Sequence, residues 1–272
     1  MIRLIAADLD DTLLDRNSIL SRENKEAVKE VLERGIMFTI ATGRMFAATV
    51  KYARELNLPS HQPIICFNGA LIQRLSGEII YERPLSVDLA AAIVQFGQKR
   101  GWSINAYYRD KLYVSRLNQK IEEYVKFVGV PAREVGDLAG FIKGGKRLSK
   151  LLVIGDPQKM PALVKKMRKL FGAQAKIAQS QQKFMEITAL EAHKGAALIW
   201  LARFMGFKRT EVMAIGDSNN DVTMLEAAEI GVAVSNAVEE AKKAAQYQTG
   251  AHYEHGVAQA IRRHILGFPD VI

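Results

Sequence analysis

Short, mainly apolar runs at residues 3–7, 36–41 and 63–67 alternate with stretches, at 22–34 and 44–56, where apolar residues recur every three or four positions. Runs of that length predict strands buried on both faces, and the helical period between them predicts amphipathic helices packed over those faces. Gly35 marks the end of the first helix. Strand, helix, strand with short connections predicts a parallel sheet. Residues 70–73 and 78–81, separated by Ser76-Gly77, predict a hairpin.

The texture then changes. Helical periodicity covers 86–99 and 119–127, and a second hairpin is predicted at 104–109 and 111–115 around Asp110. A strand at 151–154 leads to a helix over 160–170, and 176–179 with 183–188 form a strand pair. This mixture predicts an α+β sheet with helices on one face. From 191 onward the alternation resumes, with helices over 194–205, 221–228, 238–245 and 257–266 and strands at 212–216 and 231–234. The expected fold class is α/β: a Rossmann-like parallel-sheet core in two segments, 1–83 and 191–272, interrupted by an inserted α+β cap domain at 84–190.

Composition narrows the class. With 272 residues, 49% hydrophobic and 25% charged, the chain has the makeup of a soluble globular protein with ample core. No apolar run approaches the ~18–20 residues that span a bilayer. The single cysteine, Cys66, lies in an apolar strand run, and the N-terminus lacks a signal-peptide pattern. Together these predict a cytoplasmic protein without a disulfide framework. The net charge of +9 is unevenly spread. Residues 84–190 hold 19 Lys/Arg against 8 Asp/Glu, while the remainder holds 19 against 21. Solvated loops and helix faces account for most individual lysines, including the dense stretch 143–150. As a field, the asymmetry favours an anionic substrate or partner.

Candidate chemistry gathers where the predicted core strands end. The first leads into Asp8-Leu9-Asp10-Asp11-Thr12, and carboxylates closing a buried run need compensation. A divalent cation with oxygen ligands such as Mg²⁺ supplies it; helix capping by Asp10 or Asp11 is the alternative. The second leads into Thr42-Gly43-Arg44, where a hydroxyl and main-chain N–H groups can meet a phosphate. After 212–216 comes Asp217-Ser218-Asn219-Asn220-Asp221, a second cluster of oxygen ligands or a set of caps. Lys194, between His193 and Gly195, opens a helix against the macrodipole, so its placement points to a task other than helix stability. Four such signals in this order favour a joint functional reading. His252 and His255 lack acidic or cysteine partners at ligand spacing and read as loop histidines.

With these motifs assembled, the chain resembles the haloacid dehalogenase-like (HAD) superfamily, specifically its Cof-type phosphatases with a large α/β cap (subclass IIB). The residues that carry the resemblance are Asp8-Leu9-Asp10-Asp11-Thr12-Leu13-Leu14, Thr42-Gly43-Arg44, Phe67-Asn68-Gly69-Ala70, Lys194-Gly195, Gly216-Asp217-Ser218-Asn219-Asn220-Asp221 and Met224. Asp11 departs from the pattern, which most often has glycine there. The resemblance implies a Mg²⁺-dependent phosphatase acting on small phosphorylated metabolites, with Asp8 as nucleophile and Asp10 as acid and base. It implies Mg²⁺ ligation by Asp8, the Asp10 main-chain carbonyl and Asp217. Phosphate would be held by Thr42, the Leu9 and Gly43 amides, Lys194 and Asn220, with Asp221 and Ser218 supporting from behind. Arg44, Asn68 and Gly69 read first as hinge and packing residues. Cap loops at 107–110 and 144–150 are the candidates for substrate choice. A phosphomutase of the same superfamily is the alternative, as is a basic nucleic-acid-binding protein with a vestigial site.

Overall fold

The structure is a computed structural model and describes residues 1–267. The N-terminal segment carries β1 (Leu4–Ala7), α1 (Arg22–Glu33), β2 (Met37–Ile40), α2 (Phe46–Glu55), β3 (Pro63–Cys66), β4 (Leu71–Arg74) and β5 (Ile79–Glu82). The middle carries α3 (Val87–Gln98), β6 (Ser103–Tyr108), β7 (Lys111–Val114), α4 (Gln119–Val128), β8 (Ala132–Glu134) and α5 (Leu138–Lys143). It continues with β9 (Lys150–Ile154), α6 (Met160–Phe171), β10 (Ala175–Gln181) and β11 (Phe184–Ala189). The last segment carries α7 (Lys194–Phe204), β12 (Val212–Gly216), α8 (Val222–Ala227) and β13 (Ile230–Val234). It ends with α9 (Glu239–Ala244), β14 (Tyr247–Thr249) and α10 (Gly256–Ile261), the last running on as a π-turn over Arg262–Leu266. The chain separates into two compact units: Met1–Tyr81 with the segment from His193 onward, and Glu82–Ala192 between them.

In the first unit the parallel sheet runs β14-β13-β12-β1-β2 among the described residues. β1 lies inside the sheet and is fully buried, with Ala7 level with Ile215 of β12 on one side and Ile40 of β2 on the other. All four of its residues are buried, so both faces are covered, which explains its unbroken apolar sequence. β3 runs parallel to β2, as expected, but joins it at a single point. It touches the end of β2 through one bridge, Ala41 to Ile65, and pairs antiparallel with β4. The chain reverses directly after Cys66, through three consecutive residues of positive φ, Phe67, Asn68 and Gly69. Pro63 has no N–H to donate, and its carbonyl accepts from the Thr39 hydroxyl at 2.8 Å.

In the second unit the sheet order is β10-β11-β9-β6-β7-β8, antiparallel apart from β7–β8. Ile104, Ala106, Leu151, Val153, Met185 and Ile187 form one face, packed in a single apolar core with residues of α3, α5 and α6. Helices on one face alone were the expectation, but α4 packs on the other. Its Tyr124 hydroxyl meets that of Tyr107, and its N-cap Asn118 bonds Ser103. Strand alternation puts Ser103 and Tyr107 on the face opposite Ile104 and Ala106. The stretch 143–150 is not all solvated loop either. Leu148, Ser149 and Lys150 are buried, and Lys150 opens β9 with an ion pair to Glu186 at 3.0 Å. No helix of the described residues is long and apolar enough to cross a membrane.

Candidate active site

Because β1, β2 and β12 are parallel and in register, the residues that follow them emerge at one edge of the sheet. Asp8 follows β1, Thr42 follows β2 after Ala41, and Asp217 follows β12. Lys194 reaches the same place from the first turn of α7, whose N-cap His193 accepts from the Ala196 amide at 3.1 Å. Lys194 is fully buried, and its ammonium bonds Asp8 Oδ1 and, at 2.6 Å, Asp221 Oδ1. Burial alone would pull Lys194 down; the two carboxylates reverse this and hold it raised, hence charged. The lysine that opposed the helix dipole is anchored by two acids.

Asp221 is also fully buried. Its Oδ2 accepts from the amides of Asp217 at 3.1 Å and Ser218 at 3.0 Å, which closes the loop after β12. Asp217 accepts from the Thr12 hydroxyl at 3.0 Å, so the β1 and β12 loops are joined directly. Ser218 Oγ donates to Asn220 Oδ1 at 2.7 Å, and Asn220 Nδ2 donates to Asn68 Oδ1 at 3.0 Å. Thr42 is buried; its amide donates to Ile65, and its hydroxyl oxygen accepts from the Arg44 amide at 3.1 Å. Gly43 lies beneath Asn68: a Cβ there would sit 3.0 Å from Asn68 Oδ1. Leu9 is buried in the turn Leu9–Leu13.

Among the described residues, the group able to hold a metal ion is Asp8, Asp217 and Asp221, with ligand atoms within 4.8 Å of one another. Its charge is unbalanced. Three carboxylates face one ammonium, and the excess shows in the acids. Burial pushes Asp8 well above the usual carboxylate range, with Lys194 pulling back and Asp221 and Asp217 pushing further. Burial and then Asp221 raise Asp217 to about 6, against Thr12 and Lys194. The uncompensated charge is two units negative when all three are ionised, and every donor is an oxygen. A hard divalent cation fits both properties. His252 and His255 are not part of this group. His252 is buried, 3.8 Å from Asp11 Oδ1, whereas His255 is half-exposed beside Glu23.

The Asp10 side chain is not one of these three. Its half-exposed carboxylate is gripped by Arg44, a contact between residues 34 apart that no local pattern announces. Arg44 and Asn68, read from sequence as hinge and packing residues, and Thr12, which had no role there, all bond side chains of the site loops. Thr12 and Asn68 lie within quoted motifs, but their partners come from loops more than 150 positions away. Asp11 takes φ 54, the left-handed region, which accounts for glycine being common at this position. The Asn236 amide supports the strained residue by donating to the Asp11 carbonyl at 2.9 Å.

Residues 5–261 match the family model described as haloacid dehalogenase-like hydrolase. The chain belongs to this family. It is 30% identical over 267 residues to the 5-amino-6-(5-phospho-D-ribitylamino)uracil phosphatase YcsE of Bacillus subtilis, covering 97% of this chain and 96% of the relative. The HMP-PP phosphatase of Serratia proteamaculans is 28% identical over 278 residues, covering 99% and 97%. Among solved structures, a haloacid dehalogenase-like hydrolase from Bacteroides thetaiotaomicron superposes with a TM-score of 0.86 at 29% identity, covering 97% of this chain and 99% of that one. This haloacid dehalogenase-like hydrolase is therefore an enzyme of the phosphatase branch, with an α/β fold built on a parallel-sheet core.

Proposed function

We propose that this haloacid dehalogenase-like hydrolase is a Mg²⁺-dependent phosphatase of small phosphate monoesters, working through an aspartyl-phosphate on Asp8. The observation that carries the reading is the cluster Asp8, Asp217, Asp221 and Lys194, short of two positive charges at the end of the central strands. Asp8 attacks phosphorus through a carboxylate oxygen, and the P–O bond to the leaving group breaks. Asp10 gives its proton to the departing oxygen, then takes one from the water that cleaves the aspartyl-phosphate, releasing phosphate and regenerating Asp8. A Mg²⁺ held by Asp8, Asp217 and the Asp10 main-chain carbonyl would supply charge neutralisation between nucleophile and phosphate. Thr42, the Leu9 and Gly43 amides, Lys194 and Asn220 bind phosphate oxygens. Asp221 holds Lys194 and the Ser218 turn in place.

The inserted unit is read as a cap, 84–190 in the sequence, that selects the leaving group. Its turn Arg109-Asp110 after Tyr108 and the loop from Gly144 to Arg147 are the contact candidates; Lys150, engaged with Glu186, is better read as fixing the sheet. Relatives named for a phosphoribityl-aminouracil and for HMP-PP support phosphorylated heterocycles and sugar phosphates as the class to test first. The decisive experiment assays sugar phosphates, phosphorylated heterocycles and nucleotides with Mg²⁺ and with chelator. Phosphate release that requires Mg²⁺ is expected, and Asp8→Asn lowers kcat by about 10³-fold or more with circular dichroism unchanged. Normal turnover in Asp8→Asn overturns the covalent route. Isomerised product without free phosphate indicates a mutase, and salt-sensitive RNA binding without turnover overturns the enzyme reading.

A further inference from the structure

Arg44 has no part in the scheme above, yet its side chain is spent on the scheme's acid. Its Nε donates to Asp10 Oδ2 at 2.9 Å and its Nη2 to Asp10 Oδ1, a two-point grip that fixes the plane of the carboxylate. The remaining arm, Nη1, reaches the Tyr52 hydroxyl at 3.3 Å, and the guanidinium carbon lies 5.4 Å from the centre of the Tyr52 ring. The main chain of Arg44 is held as firmly. Its amide donates to Thr42 Oγ1 at 3.1 Å, and its carbonyl accepts from Phe67 at 3.0 Å. Phe67 itself takes the left-handed conformation, at φ 52.

These contacts form one continuous link from Thr42, at the end of the β2 strand, to the carboxylate of Asp10. The Asp10 side chain is half exposed and would otherwise sample several rotamers. A half-exposed ion pair adds little to stability, so the grip is better accounted for by orientation than by folding energy. Lysine could replace it only in part, because a point charge defines no plane. Nor is Arg44 placed to serve as a general anion clamp, with two of its arms already committed to Asp10.

We propose that Arg44 is a positioning residue: its grip fixes the rotamer of the Asp10 carboxylate, and one of the two contacts gives way when that oxygen takes up the proton destined for the leaving oxygen. The proposal rests on the phosphatase reading, and the test separates the two. It compares kcat/KM, which reports the steps up to departure of the leaving group, for p-nitrophenyl phosphate and for a simple alkyl phosphate with Mg²⁺. The nitrophenolate leaves without needing a proton; the alkoxide does not. Arg44→Ala should lower kcat/KM for the alkyl ester by about 10- to 100-fold, less than the ~10²–10⁴ a general acid itself can supply, and for the aryl ester by less than about threefold. The ratio of the two does not depend on how much of the variant folds. Arg44→Lys should recover part of the ratio, and Arg44→Ala should cost nothing further in an Asp10→Asn background. Equal losses for both esters, or additive effects with Asp10→Asn, overturn the proposal and leave the phosphatase reading standing. A wild-type protein that hydrolyses neither ester overturns both.

Discussion

Asp217 is the residue through which solution pH reaches the site. In the metal-free protein its carboxyl is raised to about 6 from an ordinary 3.8, by burial first and Asp221 second. Between those values the folded chain keeps a proton that the unfolded chain has released. Stability from this group is therefore complete below the ordinary value and is lost as pH rises through about 6. A cation that needs the ionised carboxylate has the opposite preference. The rise in Tm produced by Mg²⁺ should be small at pH 5 and grow through pH 6 to a plateau near neutrality, measured by thermal unfolding with Mg²⁺ and with chelator. A rise of the same size at both ends would remove Asp217 from the ligand set. Asp8 moves in the same direction, its carboxyl also being raised by burial, so the two acids reinforce one another.

At the scale of elements, α7 and α8 meet so closely that one hydrogen atom decides the packing. A Cβ on Gly195 would lie 2.2 Å from the Thr223 carbonyl oxygen, while the Gly195 amide bonds the Thr223 hydroxyl at 3.2 Å. Replacing helical glycine by alanine usually gains about 1 kcal/mol. Here backbone has to move, and overpacking costs about 1–3 kcal/mol, so the clash wins. Gly195→Ala should lower the urea midpoint and, by shifting neighbouring Lys194, lower kcat as well; a stabilised and fully active variant would show that the two helices can part freely. How far such elements can be read from sequence depends on what shapes them. β1 and β12 are covered on both faces, so their apolar runs were plain. β8 and β14 are three-residue strands whose sequences, Ala-Arg-Glu and Tyr-Gln-Thr, carry no apolar alternation. α5 contains Gly140 and runs into Gly144-Gly145, which reads as loop. The motif residues at strand ends were legible because each sits beside a strong local pattern. The Arg44–Asp10 grip and the Thr12–Asp217 bond were not, because they join loops that only the folded sheet brings together.

Across the whole molecule, the excess of basic over acidic residues falls in the inserted unit, 19 against 8 between residues 84 and 190. A field of that kind acts on encounter with anions and is screened by salt. For a substrate with more than one phosphate or carboxylate, kcat/KM should fall about threefold or more between 20 and 200 mM salt. Changing Lys165, Lys166 and Lys169 on α6 to glutamine should flatten that dependence; an unchanged slope in stopped-flow or steady-state assays would make the charge a matter of surface solvation only. The place of β1 between β12 and β2 has a consequence of another kind, in time rather than space. Its neighbour β12 follows it by some two hundred positions along the chain. At about 5–20 residues per second, a ribosome takes roughly ten to forty seconds to deliver that neighbour. Throughout that interval a strand made to be covered on both sides has one edge open, and the acid it carries has neither Lys194 nor Asp217 beside it. Asp8, the proposed nucleophile, is among the first residues made, and Lys194 and Asp217, which surround it, are among the last.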